Sequence, residues 1–210
     1  GGNPTIGDDV RITYEYTSTS GCFNRDTTDA LIYRLPDFDF TFTNGCKDDI
    51  IEFTPVLSSA NNIATYTWDL GPGGSYDVVG TDLSPIQAQY QIPDNYPIKL
   101  SYTTNTNKTC SSGITKPLVI GEIPIANFNW TNVCLGASTN FNASITGLGT
   151  STIASTQWDF DGTSTFVNAP ATTTYDYTGS GSRMVTFLVT TNKNCSQQIT
   201  KMVYSVPSIP

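Results

Sequence analysis

The sequence predicts an all-β protein built from tandem immunoglobulin-like β-sandwiches. Short runs of β-branched and aromatic residues alternate with turns, and 17 Gly and 12 Pro punctuate the 210 residues. No window shows sustained recurrence of apolar residues at i, i+3, i+4 and i+7, so we expect almost no helix. An internal repeat of nearly constant length indicates that the same sandwich occurs more than once.

The repeat is carried by tryptophans and cysteines at matching positions. The matching pairs are Trp68 and Trp158, Cys46 and Cys134, Cys110 and Cys195, and Cys22 and Cys110, with spacings of 90, 88, 85 and 88 residues. We therefore expect residues 1–36 to be the last two strands of a truncated repeat. Residues 37–122 form a full repeat, and residues 123–210 form another with the start of a linker.

Each repeat contains seven short strands. In the second full repeat we expect them at 125–130, 139–143, 155–160, 165–167, 172–177, 183–191 and 198–206. Seven strands separated by turns within one repeat are typical of a β-sandwich. Tyr90 and Tyr175 each lie 20 residues before the second cysteine of their repeat, which indicates equivalent structural positions.

The repeats resemble the PKD-domain family along essentially the whole chain. Each has a Trp-Asp turn ("WDLGPGG", "WDFDGTS"), an aromatic strand ("AQYQI", "TTYDY") and an alternating strand ("YPIKLSY", "RMVTFLV"). The turn departs from the usual Trp-Asp-Phe-Gly-Asp-Gly motif of that family. The Asn-Gly-Cys and Asn-Val-Cys elements, with the later cysteine, resemble PKD arrays in giant surface adhesins of Bacteroidota. Those adhesins are exported by type IX secretion, and some serve gliding motility.

This resemblance implies a function outside the cell. We expect a non-catalytic segment of a large secreted, cell-surface repeat protein, acting as a stalk or adhesin in surface attachment or gliding motility. Its partners would be the neighbouring repeats, with surface polysaccharide or the secretion machinery as further partners. The alternative is a carbohydrate- or protein-binding accessory module of a secreted hydrolase.

Composition excludes several other functions. The chain contains no His, which removes Ser-His-Asp and Cys-His catalysis and His-based zinc sites, so we do not expect an enzyme. A net charge of −8 argues against nucleic acid or anionic lipid as a partner. No apolar run reaches the length that a membrane span needs, so membrane insertion is not expected. The chain shows no signal peptide and opens on Gly1, so we expect a piece of a longer protein.

Three acids near the tryptophans are the only metal-ligand hypothesis. Asp69, Asp159 and Asp161 follow the two Trp-bearing strands. An Asp in this place commonly accepts hydrogen bonds from turn amides, and we favour that structural interpretation and no cofactor. Calcium is the alternative, because some PKD domains bind it near this turn. It needs six to eight oxygen ligands, and the first repeat keeps only Asp69.

The cysteines predict disulfides in an oxidising compartment, with buried thiols as the alternative. Proximity in sequence suggests Cys46 with Cys110 and Cys134 with Cys195. In an immunoglobulin-like topology, however, the cysteines of each such pair lie at opposite ends of a sandwich, about 20 Å apart. A disulfide tolerates Cα separations of only about 4.4–6.8 Å. We therefore expect Cys46 to bridge to Cys195 across the joint, with Cys22, Cys110 and Cys134 reduced or bonded outside this chain.

One short motif suggests a modification. Asp26-Thr27-Thr28 resembles the Asp-Thr/Ser-X site for O-linked glycans in secreted Bacteroidota proteins, which makes Thr27 a glycosylation hypothesis.

Overall fold

The computed structural model describes residues 9–31, 38–57, 63–72, 78–80, 84–104, 110–131 and 133–205. Throughout these ranges the chain forms strands and turns, and the all-β prediction is confirmed. No helix in this part of the chain has the length and apolarity needed to cross a bilayer.

The first sandwich packs a three-stranded sheet on a five-stranded sheet. The sheet orders are β3-β5-β8 and β4-β10-β9-β6-β7. All neighbours are antiparallel except β4 and β10, which are parallel. The strands are β3 (Phe38–Thr41), β4 (Gly45–Cys46), β5 (Ile50–Leu57), β6 (Ile63–Asp69), β7 (Val78–Gly80), β8 (Ile86–Gln89), β9 (Asn95–Thr104) and β10 (Ser111–Gly121).

The second sandwich repeats this order. Its sheets run β11-β12-β15 and β14-β13-β16-β17, and every pair is antiparallel. The strands are β11 (Ile125–Trp130), β12 (Thr139–Thr146), β13 (Ile153–Asp159), β14 (Val167–Asn168), β15 (Thr172–Tyr175), β16 (Gly181–Thr191) and β17 (Ser196–Ser205). The chain is thus a tandem of immunoglobulin-like sandwiches, as the sequence predicts.

Each sandwich has its own hydrophobic core, centred on its tryptophan. One core is formed by residues between Phe40 and Ile120, and the other by residues between Ala126 and Val203. Trp158 is fully buried, with its ring centre 4.5 Å from that of Phe187. Because alternate residues of a strand point to opposite faces, β9 and β16 each direct one face into a core.

Ahead of the sandwiches lies a two-stranded hairpin, β1 (Asp9–Thr17) with β2 (Phe23–Leu31). One face of β1 carries Val10, Ile12, Tyr14 and Tyr16, which are 39%, 52%, 66% and 48% exposed. Alternate apolar residues also occur in β9, where they are buried against the opposite sheet. The hairpin therefore presents an apolar face of the kind that a complete sandwich buries.

We predict that the amides of residues 9–31 exchange with solvent far faster than those of β9 and β16. A two-stranded hairpin without a packed face is marginally stable in water, whereas the other two strands lie inside complete sheets. Hydrogen–deuterium exchange on the isolated chain measures the difference. Equal protection, with no partner chain present, would place the boundary of the first unit elsewhere than residue 36.

Candidate functional site

The Trp-Asp turn of the second sandwich is held by one buried carboxylate. Asp159 ends β13 and is only 4% exposed. Its Oδ1 accepts hydrogen bonds from the backbone amides of residues 161, 162 and 163, at 3.2, 2.9 and 3.2 Å, and its Oδ2 accepts from the amide of Ser164 at 2.8 Å. Both oxygens therefore organise the turn, and Gly162 supplies a φ of +69° within it.

Asp161 faces a different set of partners. Its carboxylate accepts a hydrogen bond from the Tyr175 hydroxyl and lies 3.3 Å from Nε of Arg183. The Arg183 guanidinium also lies 4.5 Å from the ring centre of Tyr177. Asp159 and Asp161 thus belong to two separate networks, one that closes the turn and one that fastens it to β15 and β16.

In the first sandwich the corresponding acid is exposed. Asp69 accepts a hydrogen bond from the Gly71 amide at 3.0 Å. Within the described ranges, no group of three or more Cys, Asp or Glu side chains is arranged to hold a metal ion. Calcium binding by Asp69, Asp159 or Asp161 stays an untested hypothesis.

The tyrosine pairing inferred from sequence spacing is wrong by two residues. The Tyr90 hydroxyl donates to the Leu70 carbonyl at 3.0 Å, and the same bond in the second sandwich runs from Tyr177 to Phe160 at 3.1 Å. Burial raises the pKa of Tyr90 to about 12 and also raises the pKa of Tyr177, so both hydroxyls stay protonated as donors. The equivalent of Tyr90 is therefore Tyr177.

The joint between the sandwiches is closed by a disulfide. Cys46, in β4 of the first sandwich, is bonded to Cys195, in the β16–β17 hairpin of the second, with a Cα separation of 5.6 Å. This is the pair that the strand order favours over Cys134–Cys195. Cys195 is fully buried. The bond closes a loop with a sequence separation of 149 residues.

A partly buried ion pair lies beside the disulfide. Glu122, in the three residues between β10 and β11, lies 3.3 Å from Nζ of Lys193, and the two side chains are only 15% and 22% exposed. The same carboxylate accepts hydrogen bonds from the Ser151 hydroxyl and, at 3.1 Å, from the Thr150 amide. Burial by itself would raise the pKa of Glu122, but these hydrogen bonds and the one from Lys193 lower it from an ordinary 4.5 to about 2.

Close approach at the joint requires glycine. A Cβ on Gly121 would lie 2.6 Å from Sγ of Cys195 and 2.9 Å from Cβ of Lys193. Gly121 also accepts a hydrogen bond from the Lys47 amide at 2.9 Å, which ties the end of β10 to the turn that carries Cys46. A cavity of about 340 Å³ remains between this turn and the hairpin, lined by residues 44–46, 49, 119 and 192–194.

A disulfide between the two sandwiches and an ion pair from the linker to the second sandwich therefore hold the joint. Its redox-active bond is the disulfide, which thiols of suitable reduction potential can open. Sequence reasoning located the disulfide but missed Glu122 and Lys193. Their position beside the Pro-marked linker and beside Cys195 was the available signal.

The other predicted residues lie away from this joint. Cys22 and Cys134 are exposed, Cys110 is half-buried, and none of the three forms a disulfide. Thr27 lies in β2 and is exposed, and its amide donates to the Asp26 side chain at 2.8 Å. Glycosylation of Thr27 stays a prediction.

No known protein family matches the chain by sequence, and no curated protein does either. Similar solved structures include fibronectin(III)-like modules of Clostridium thermocellum CbhA (8% identity, 80% of this chain, 95% of that chain, TM-score 0.48). Carbohydrate-binding modules of the β-sandwich superfamily are also similar (16% identity, 83% of this chain, 93% of that chain, TM-score 0.35). So is the mouse nectin-like molecule 4 ectodomain (12% identity, 89% of this chain, 73% of that chain, TM-score 0.33). The immunoglobulin-like assignment rests on the strand order of the chain itself.

We predict that calcium does not stabilise the chain. Asp159 already accepts four amide hydrogen bonds and Asp161 is paired with Arg183, so binding calcium would have to break these interactions. Thermal unfolding with calcium and with a chelator should give nearly the same midpoint. An increase of many degrees on adding calcium would overturn the prediction.

We also predict a pH-dependent joint. Because the pKa of Glu122 is lowered on folding, its contribution to stability is fully present above about pH 4.5 and is lost as the pH falls towards 2. Glu122→Gln should therefore lower the unfolding midpoint at pH 6, and this difference from the wild type should shrink as the pH falls to 2. Glu52→Gln, at an exposed position outside the joint, is the matched control. A difference that is constant with pH would exclude this role.

Proposed function

We propose that the chain is a non-catalytic, load-bearing segment of a PKD-like repeat array in a secreted, cell-surface protein. In this role the sandwiches form a stalk or adhesin that carries a ligand-contacting part away from the cell, in surface attachment or gliding motility. The partners of the array would be neighbouring repeats, surface polysaccharide or the secretion machinery.

The observation that carries the proposal is the position of the disulfide along the chain. Force applied to the two ends passes from Cys46 directly to Cys195. The residues between them are bypassed, and they include nearly all of both cores. A connector that protects folded units from stretching is useful in a filament under tension.

Two further features support an extracellular role. Disulfides persist in oxidising environments and are rare in reducing ones. The chain has only 13% charged residues and a net charge of −8, and Thr, Ser and Asn supply much of its polarity. A surface of one net sign limits sticking between neighbouring filaments, which favours a long soluble array.

The accessory-module alternative has no such observation behind it. An open groove of about 480 Å³ lies beside β13 and β14. It is lined by residues 153–156 and 168–170, which are small aliphatic and polar residues rather than aromatic rings on which sugars stack. We therefore propose the stalk function alone.

Single-molecule force extension of the full chain, pulled from its ends, tests the load path. With the disulfide intact, the segment between Cys46 and Cys195 should release no length. After reduction, that 149-residue separation should add about 500 Å of contour length. Cys46→Ser should behave like the reduced chain, whereas Cys110→Ser, which removes a cysteine outside the bridge, should behave like the oxidised wild type.

Full extension of the oxidised wild type would contradict the load-bearing role.

A second measurement separates the stalk function from the accessory-module function. Antibodies against the chain should label intact cells, and any retention of the isolated chain on immobilised polysaccharides should be unchanged by substitutions in the groove. Retention on a polysaccharide that is lost on substitution in the groove, for example Asn168→Ala, would favour the accessory module instead.

A further inference from the structure

The three hairpin cysteines occupy one and the same local structure. In each hairpin a Ser or Thr ends or directly follows the first strand, its hydroxyl accepts a hydrogen bond from the cysteine amide, and its own amide donates to the cysteine carbonyl. The side-chain and backbone distances are 3.0 and 2.9 Å for Ser18–Cys22, 3.1 and 2.9 Å for Thr104–Cys110, and 3.2 and 2.8 Å for Thr191–Cys195. Of these cysteines, Cys195 forms the disulfide.

The remaining two cysteines share a second local structure, a turn that precedes β5 in the first sandwich and β12 in the second. The residue two after the cysteine has a positive φ, +67° at Asp48 and +94° at Gly136. The amide of the next residue donates to the cysteine carbonyl at 3.0 Å in both turns. Cys46 and Cys134 are therefore equivalent, although only Cys46 is bonded.

The existing bridge has a direction. It joins the turn cysteine of one sandwich to the hairpin cysteine of the sandwich that follows. Under the same rule, Cys134 faces a following unit, and Cys110 faces a preceding one. Cys134 is exposed and Cys110 half-buried, whereas the bonded Cys195 is completely covered by the joint.

We propose that Cys134 is a covalent docking site for the hairpin cysteine of another sandwich of this kind, and that Cys110 is the reciprocal site for the turn cysteine of a preceding sandwich. The docking partner is a unit of the same fold, with its hairpin end towards the turn end of the sandwich before it. This inference concerns how units connect and does not depend on what the array does.

The bond forms by two thiol–disulfide exchanges with a small disulfide oxidant such as oxidised glutathione. The thiolate of Cys134 attacks the oxidant, forms a mixed disulfide and releases one thiol. The thiolate of the partner's hairpin cysteine then attacks the Cys134 sulfur and releases the second thiol. One oxidant disulfide is reduced to two thiols for each protein disulfide formed.

The linker is the part of the joint that varies along the chain. Lys116 and Lys201 are equivalent, because each donates from Nζ to a carbonyl in the first strand of its own sandwich, at 2.7 and 2.6 Å. Five residues after each lysine the sequence has Gly121 in the first linker and Val206 in the second. Ile123-Pro124 begins two residues after Gly121, whereas Ile209-Pro210 begins three residues after Val206. The experiment therefore keeps the natural linker.

The experiment extends the full chain at its C-terminus with a second copy of residues 125–210. Pro210 then precedes Ile125 of the added copy, just as Pro124 precedes Ile125 in the natural chain. The added copy carries Cys134→Ser, and Ser196→Thr marks its hairpin peptide by mass. After oxidation with glutathione, digestion without reduction and mass spectrometry identify the bonded pairs.

The expected result is two bridges, Cys46 with the original Cys195 and Cys134 with the added copy's Cys195. Cys22 and Cys110 would remain as the only thiols. The matched control, Cys134→Ser in the original sequence, should lose the second bridge and keep the first.

A free Cys134 thiol alongside an intact Cys46–Cys195 bridge would overturn the proposal, because the first bridge shows that the protein is folded and oxidised. A bond between Cys134 and the original Cys195, a second bridge that forms only after Val206→Gly, or failure of both bridges would overturn it as well.

Discussion

The Cys46–Cys195 disulfide is the constraint on which the relation between the two sandwiches depends. Each sandwich is complete in itself, with its own tryptophan-centred core, and only residues 122–124 separate β10 from β11. A short linker by itself limits the distance between the two sandwiches but leaves them free to rotate relative to each other. The disulfide fixes a second point of attachment, and two points define an axis. The Glu122–Lys193 pair then adds a contact between the linker and the second sandwich, while the hydrogen bond from the Lys47 amide to Gly121 fixes the Cys46 turn on its own sandwich.

The ion pair depends on the disulfide more than the reverse. A buried carboxylate and ammonium are costly to desolvate, and such a pair contributes net stability only when its geometry is fixed and its remaining hydrogen bonds are made. Cys195 is covalently anchored two residues from Lys193, and the rigid loop of residues 149–152 brings Ser151 and Thr150 to the Glu122 carboxylate. Gly149 is needed in that loop, because a side chain there would collide with Glu122. Local packing thus makes an otherwise unfavourable burial favourable.

Sequence reasoning recovered the features that are local or repeated. The strands of the second sandwich are close to those expected, because alternation of apolar residues is a local property and each run ends in turn residues. Tyr175 was paired with Tyr90 because each lies 20 residues before a cysteine, and this pairing is wrong. The chain from Thr104 to Cys110 is two residues longer than the chain from Thr191 to Cys195, so equal spacing from the cysteines does not mark equivalent positions. The Glu122 cluster was missed for a different reason. Its partners Ser151 and Lys193 are 29 and 71 residues away, and a position beside the linker or beside Cys195 does not by itself show which side chains the assembled joint brings together.

The two cysteine structures give the array a polarity that a symmetric contact could not. The hairpin cysteine belongs to one end of a sandwich and the turn cysteine to the other, so bridges between successive units of one chain join unlike ends and generate an open head-to-tail array. Bridges of this kind also overlap along the sequence, because Cys134 lies inside the loop closed by Cys46 and Cys195. A unit in the middle of such an array would be enclosed by two bridges at once. The stretch of 61 residues between Cys134 and Cys195 would then be the shortest covalent path through such a unit, so covalent connectivity would limit how far its unfolding could lengthen the filament.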